Sequence, residues 1–173
     1  MKNQKSLILV GLLAMAGIAA AQSNVSKKLQ PIYSKMDSLS LNKDVAGLSK
    51  YMNSVATKDF VFVSKAIPNM PSQTKTLAQT MATMSAYLPM IASVDTYKSK
   101  IAKITESGNT VTVDVNQTMA MTTAAGSSGP SHKIVQVTTD EDTWVKQGGS
   151  YKLKASKMLS VAVTQDGKQL PSF

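Results

Sequence analysis

Thr143-Trp144-Val145-Lys146-Gln147-Gly148-Gly149-Ser150-Tyr151-Lys152-Leu153 is the stretch whose reading decides the fold. Apolar and polar residues alternate on both sides of Gln147–Ser150, and the paired glycines turn the chain between them. Two antiparallel strands follow from this. Upstream, the strand extends over Lys133–Lys146, with an alternation that slips near Asp140-Glu141-Asp142 and so predicts a bulge there. Downstream, Tyr151–Val163 continues as a long strand, and Asp166-Gly167 marks a further hairpin-like turn.

Outward from that hairpin the period-2 pattern persists. Val111, Val113, Val115, Met119 and Met121 alternate with Thr112, Asp114, Asn116 and Thr118, the pattern of a half-buried strand. Val94–Ile104 alternates as well, and Ser107-Gly108-Asn109 turns the chain between the two. Ala124–Ser131 reads as a loop. Towards the N-terminus the period becomes helical. Leu29, Ile32, Tyr33, Met36 and Leu39 form one stripe, with Pro31 in a first turn. Asn42 is a candidate cap for a short helix presenting Val45, Leu48, Tyr51 and Met52. Phe60–Val63 is a short β-rich run. Ser72 is placed to cap a third helix with the stripe Leu77, Met81, Met84 and Leu88, stopped by Pro89. Helices first and long hairpin-linked strands afterwards give an α+β fold: three N-terminal helices on the concave face of a strongly curved antiparallel sheet.

Composition narrows the functional classes. The formal net charge is +9, all 19 basic residues are Lys, and there is no Cys. Without Cys the fold must hold by packing alone, and thiolate chemistry and cysteine zinc sites are excluded. Nucleic acid is not the expected partner, because Arg forks and exposed aromatic platforms are missing and the lysines are scattered. The first residues are a separate matter. Lys2 and Lys5 precede the apolar run Leu7–Ala20, which ends at the small residues Ala19-Ala20-Ala21. This is the layout of a secretory signal peptide, residues 1–21, and the run is short for a membrane anchor. One domain over 22–173 remains, secreted or periplasmic, with no transmembrane anchor after cleavage.

The order of these parts resembles the nuclear transport factor 2-like superfamily, which includes SnoaL-like and steroid-isomerase-like cone-shaped domains. The resemblance is carried by Asn42-Lys43-Asp44-Val45-Ala46-Gly47-Leu48, Thr57–Val63, the hairpin Thr143–Leu153 and Ala155–Ser160. It implies a cone with a cavity at its wide end. Members include isomerases, cyclases, dehydratases and plain binding proteins, so the fold does not choose an activity.

For the pocket, strand period 2 puts Lys157 on one face with Tyr151, Leu153, Ala155, Leu159 and Val161, and Gln117 with the valines of its strand. Lys157, Gln117, Tyr33, Tyr51, Thr143 and Trp144 are the candidate ligand-pocket residues. No catalytic residue is assigned. His132 reads as an exposed strand-start residue, Asp59 as a turn or cap, and Asp140-Glu141-Asp142 as a solvated acidic bulge. Methionine pairs at helical and strand spacing read as core, not as a copper site. No metal and no cofactor is expected. The leading functional expectation is an exported domain that binds a small, partly apolar molecule. The alternatives are an isomerase- or cyclase-type enzyme, using Lys157, Asp59 or Asp95 with a tyrosine, and a homodimerising interaction module. The leader reading has a direct check: N-terminal sequencing of the exported protein returns Gln22, and an intact Met1 in the soluble envelope fraction contradicts it.

Overall fold

In a computed structural model the structure describes residues 24–65, 72–126 and 129–171, so the leader lies outside the described residues. Helix α1 occupies 24–41 and α2 occupies Val45–Val55. Strands β1 (Ala56–Val63) and β2 (Thr74–Thr76) precede α3 (Leu77–Tyr87), and a short 3₁₀ turn, Leu88–Met90, ends that helix at Pro89. Four long strands follow: β3 (Ile91–Ser107), β4 (Thr110–Thr123), β5 (Lys133–Gln147) and β6 (Ser150–Gln165), with β7 (Lys168–Gln169) folded back on β6. The strand order is β2-β1-β6-β5-β4-β3.

The fold class is α+β, with one correction to the expected sheet. It is not antiparallel throughout, because β1 runs parallel to β6. The chain reaches β6 from β1 only after crossing the rest of the sheet, and that long crossover permits a parallel pair. The tight turns fall where the sequence put them. Gln147 pairs with Ser150 across Gly148 and Gly149, whose φ values of 57° and 79° suit a two-residue hairpin turn.

The helix caps differ from expectation. Asn42 donates from its amide to the Ser38 carbonyl, and Asp44 caps α2 by accepting from the Gly47 N–H at 2.8 Å. Thr76, not Ser72, caps α3, in a reciprocal box with Gln79. Pro31 lies inside α1, which already runs from 24.

Bulges shape the sheet. β3 shifts register against β4 at three places and bends there. The slip expected in β5 near Asp140 belongs instead to its partner. Thr143 pairs with Ala155 but Trp144 with Leu153, leaving Lys154 as the extra residue. Thr139 pairs with Ser160 but Asp140 with Met158, leaving Leu159 extra. β5 itself keeps strict alternation, and Gln136, Thr138, Asp140, Asp142 and Trp144 share its inner face.

The core fills one end of the sheet. Trp144, Leu29, Val111 and Val113 are fully buried there, joined by Tyr33, Val115, Leu153 and Phe60. Farther along β4 the inner face carries Gln117, Met119 and Met121, which line open space rather than core.

Two substitutions separate the faces of β6 and β5. Lys157→Met, at an exposed position, is expected to change stability by less than about 0.5 kcal/mol. Trp144→Ala empties the centre of the core and is expected to cost about 3–5 kcal/mol. Denaturant melts check both, and a large Lys157→Met effect would show that the inversion by the bulge is wrong.

Candidate functional site

The space between helices and sheet forms two adjoining chambers, an outer one of about 480 Å³ and an inner one of about 150 Å³. They share Ser40, Phe62, Tyr97, Gln117, Asp140 and Ser156 among other lining residues, so they form one cavity. Its walls are mostly apolar, from Leu48 of α2, Met84 of α3 and Val94, Met119, Met121 and Met158 of the sheet. Met119 and Met121, expected in the core, therefore face the cavity.

The polar floor lies where core gives way to cavity along β5. Trp144 donates its indole N–H to the Tyr33 hydroxyl at 3.0 Å, and that hydroxyl donates to Asp142 Oδ2 at 2.7 Å. The Tyr33 and Trp144 rings also meet edge to face, with centroids 5.8 Å apart. Two residues along, Asp140 Oδ2 accepts from the Thr138 hydroxyl at 3.0 Å. Oδ1 of Asp140 and Oδ1 of Asp142 are buried without a hydrogen-bond partner.

This setting changes both acids. Burial pushes Asp142 up to about 6, although the Tyr33 hydroxyl and the nearby Ser156 hydroxyl favour its charge. Burial, and then the charge of Asp142, push Asp140 up to about 6 against the Thr138 hydrogen bond. The Tyr33 hydroxyl is held well above its usual range, by burial first and then by Asp142. Tyr97 is pushed up to about 12, chiefly by burial, with Ser40 and Gln117 acting in the opposite direction. The floor is thus two carboxyls that gain or lose protons near pH 6, facing tyrosines that stay neutral.

On the opposite wall Asp37 is already engaged. It accepts from the Ser99 N–H at 2.8 Å and from the Ser99 hydroxyl at 2.6 Å, and Gln117 donates to that hydroxyl at 3.3 Å. At the rim, the Lys43 ammonium donates to the carbonyls of Ile91 and Ala92, and Lys75 donates to Thr83.

Of the residues expected from sequence, Gln117 lines both chambers and Tyr33 lines the inner one. The other four do not reach the cavity. Lys157 is exposed, because the extra residue at Lys154 turns Ser156 and Met158 inward in place of Ala155 and Lys157. Trp144 is wholly enclosed in the core. Thr143 lies between the inward Asp142 and Trp144 and so faces the other side of the sheet. Tyr51 packs against the core, where burial raises its hydroxyl pKa.

The enzyme candidates Asp59 and Asp95, and His132 with them, are placed outside as well. Asp59 is exposed, Asp95 is exposed and accepts from Ser93, and His132 contacts Asp166 at 2.7 Å beside the β6–β7 turn. Asp140 and Asp142 are not the solvated bulge their charge suggests, but point into the cavity. The signal was available: they stand two and four residues before Trp144, on the same strand face. Among the described residues no three His, Asp or Glu side chains converge to hold a metal.

No protein-family model and no curated protein sequence matches the chain. Solved structures do. The Kfla4162 protein from Kribbella flavida aligns over 76% of this chain and 87% of its own, with a TM-score of 0.61 at 14% identity. Hexachlorocyclohexane dehydrochlorinase LinA-type3 from Novosphingobium barchaimii aligns over 86% and 95%, with a TM-score of 0.60 at 9% identity. An NTF2-like protein of unknown function from Shewanella baltica aligns over 87% and 97%, with a TM-score of 0.54 at 11% identity. Identities this low speak for fold alone. With three helices over a curved, open sheet and a cavity between them, the chain has the nuclear transport factor 2-like fold.

Proposed function

We propose that the protein is an exported binding protein for a small, largely apolar molecule held in the cavity between the helices and the sheet. The observation that carries this reading is the cavity itself: about 480 Å³ in its outer chamber, apolar along its walls, with a few polar groups gathered on the floor. That is the usual make-up of a small-molecule site. The export part rests on residues 1–21 alone.

A second reading is favoured by one observation. Asp140 lines the cavity, is held near pH 6, and stands in a cavity that Tyr97 also lines. A carboxyl tuned towards neutrality beside a neutral hydroxyl is suited to moving a proton on a bound molecule. This is the isomerase- or cyclase-type alternative with an acid as base. The version using Lys157 falls away with its exposed position. Two structural neighbours are named hexachlorocyclohexane dehydrochlorinases, which supports the capacity of such a cavity for chemistry but does not choose a reaction.

Native mass spectrometry of the protein isolated from its own host tests the binding reading. Wild type and Lys157→Met are expected to carry a small molecule. Met119→Trp, which puts a bulky ring into the outer chamber, is expected to lose it while keeping its circular dichroism spectrum. Retention of the same molecule by Met119→Trp would show that the cavity is not where it binds.

A further inference from the structure

The interior of this cavity has a charge opposite to that of the molecule around it. The chain carries a formal net charge of +9, yet the inner chamber is lined by Asp37, Asp140 and Asp142 and by no Lys or His. Asp37 is satisfied by Ser99. Asp140 and Asp142 are not satisfied, since each keeps one buried oxygen without a partner. Asp142 is only 5% exposed, so water does not compensate it as it would a surface acid.

A buried acceptor without a donor is destabilising, and a ligand that brings the donor removes the penalty. The donor for these two oxygens must come from outside, because the nearby Tyr33, Thr138 and Ser156 hydroxyls leave both without a hydrogen bond. The Lys43 and Lys75 ammoniums line only the outer chamber and are engaged with the β3 carbonyls and with Thr83. The remaining charged or titratable groups lining the two chambers are Tyr33 and Asp37 from α1, Asp44 before α2, Tyr87 at the end of α3 and Tyr97 from β3. α2, α3, β1, β4 and β6 contribute only uncharged side chains to the inner chamber. A metal ion would find only this pair of carboxylates, since no third ligating side chain joins them among the described residues. An ammonium fits better. It carries up to three donors, it is attracted to the negative pair, and aromatic side chains, Tyr97, Phe62 and Phe60, line the same chamber.

We infer that the ligand is an organic amine: an apolar body seated in the outer chamber, with a protonated nitrogen directed to Asp140 and Asp142. This deepens the binding reading of the same cavity and rests on it. The two acids gain their protons near pH 6, so the amine is held above that pH and released below it.

Three ligands with one apolar body and different heads test this by isothermal titration calorimetry: amantadine, adamantanol and adamantane carboxylate. Amantadine stays a cation across the range used. At about pH 7.5 it is expected to bind at least about ten-fold more tightly than adamantanol, with the carboxylate weakest. At about pH 4.5 the amine's advantage is expected to shrink towards nothing. Asp140→Asn with Asp142→Asn should remove the advantage of the amine over the alcohol at the higher pH. The pH series on wild type stands even if that double variant fails to fold. Equal binding of the amine and the alcohol, or tighter binding of the carboxylate, overturns the inference while leaving the cavity as a binding site. If none of the three binds, the binding reading falls and this inference falls with it.

Discussion

A chain of two hydrogen bonds, Trp144 to Tyr33 to Asp142, sets the geometry from which the rest of the cavity follows. An indole N–H can only donate, so the Tyr33 oxygen must accept from it and direct its own proton to the carboxylate. The order is therefore fixed, and Asp142 is the group that receives. Each member is buried, so removing one leaves another unpaired at about 1–3 kcal/mol. The same helix is fastened to the sheet again by Asp37 to Ser99, and the turn that follows it by Lys43 to the carbonyls of Ile91 and Ala92. α1 thus acts as one wall of a cavity whose opposite wall is β4 and β5. Where β5 passes from Trp144 to Asp142 and Asp140, the interior changes from filled core to open space.

This arrangement carries an energetic consequence. Both acids have folded pKa values of about 6 against 3.8 for the free side chain. Groups raised in this way add stability that is complete below the unfolded pKa and is lost as pH rises through the folded one. Each amounts to at most about 3 kcal/mol, and partial exposure brings Asp140 down to about 1–2 kcal/mol. A fold that holds two such acids at the boundary of its cavity is less stable at neutral pH than one with amides there. Perturbed acids gathered in a cleft are the usual mark of a working site, and the unpartnered oxygens beside them mark where a ligand donor belongs.

The layers of the fold were legible because period and punctuation agree in this sequence. The valines of β4 at 111, 113 and 115 point inward as their spacing requires, and the glycines at 148 and 149 turn the chain with positive φ. The site was legible only where alternation is uninterrupted, as at Gln117. On β6 a single extra residue at Lys154 exchanges the two faces, so a count from Leu153 leads to Lys157 when the chain itself presents Ser156 and Met158. Nothing local in Lys154-Ala155-Ser156 marks a bulge, because its cause is the pairing with β5. Asp140 and Asp142 were misplaced for the converse reason. Their charge pointed to solvent, yet their spacing from Trp144 pointed inward, and where the two signals conflict the strand geometry prevails. The parallel β1–β6 pair was beyond reach as well, since it depends on which edge the returning chain meets.

Asp140 and Asp142 face the inner chamber together, and the cavity's chemistry depends on that. Carbon-13 NMR titration of the aspartate carboxyls reads this directly. Both resonances are expected to titrate near pH 6, each displaced as the other ionises, while Asp166, exposed and bonded to His132, stays below the ordinary value of 3.8. Two independent transitions for Asp140 and Asp142 near 3.8 would place the pair in solvent and contradict the account.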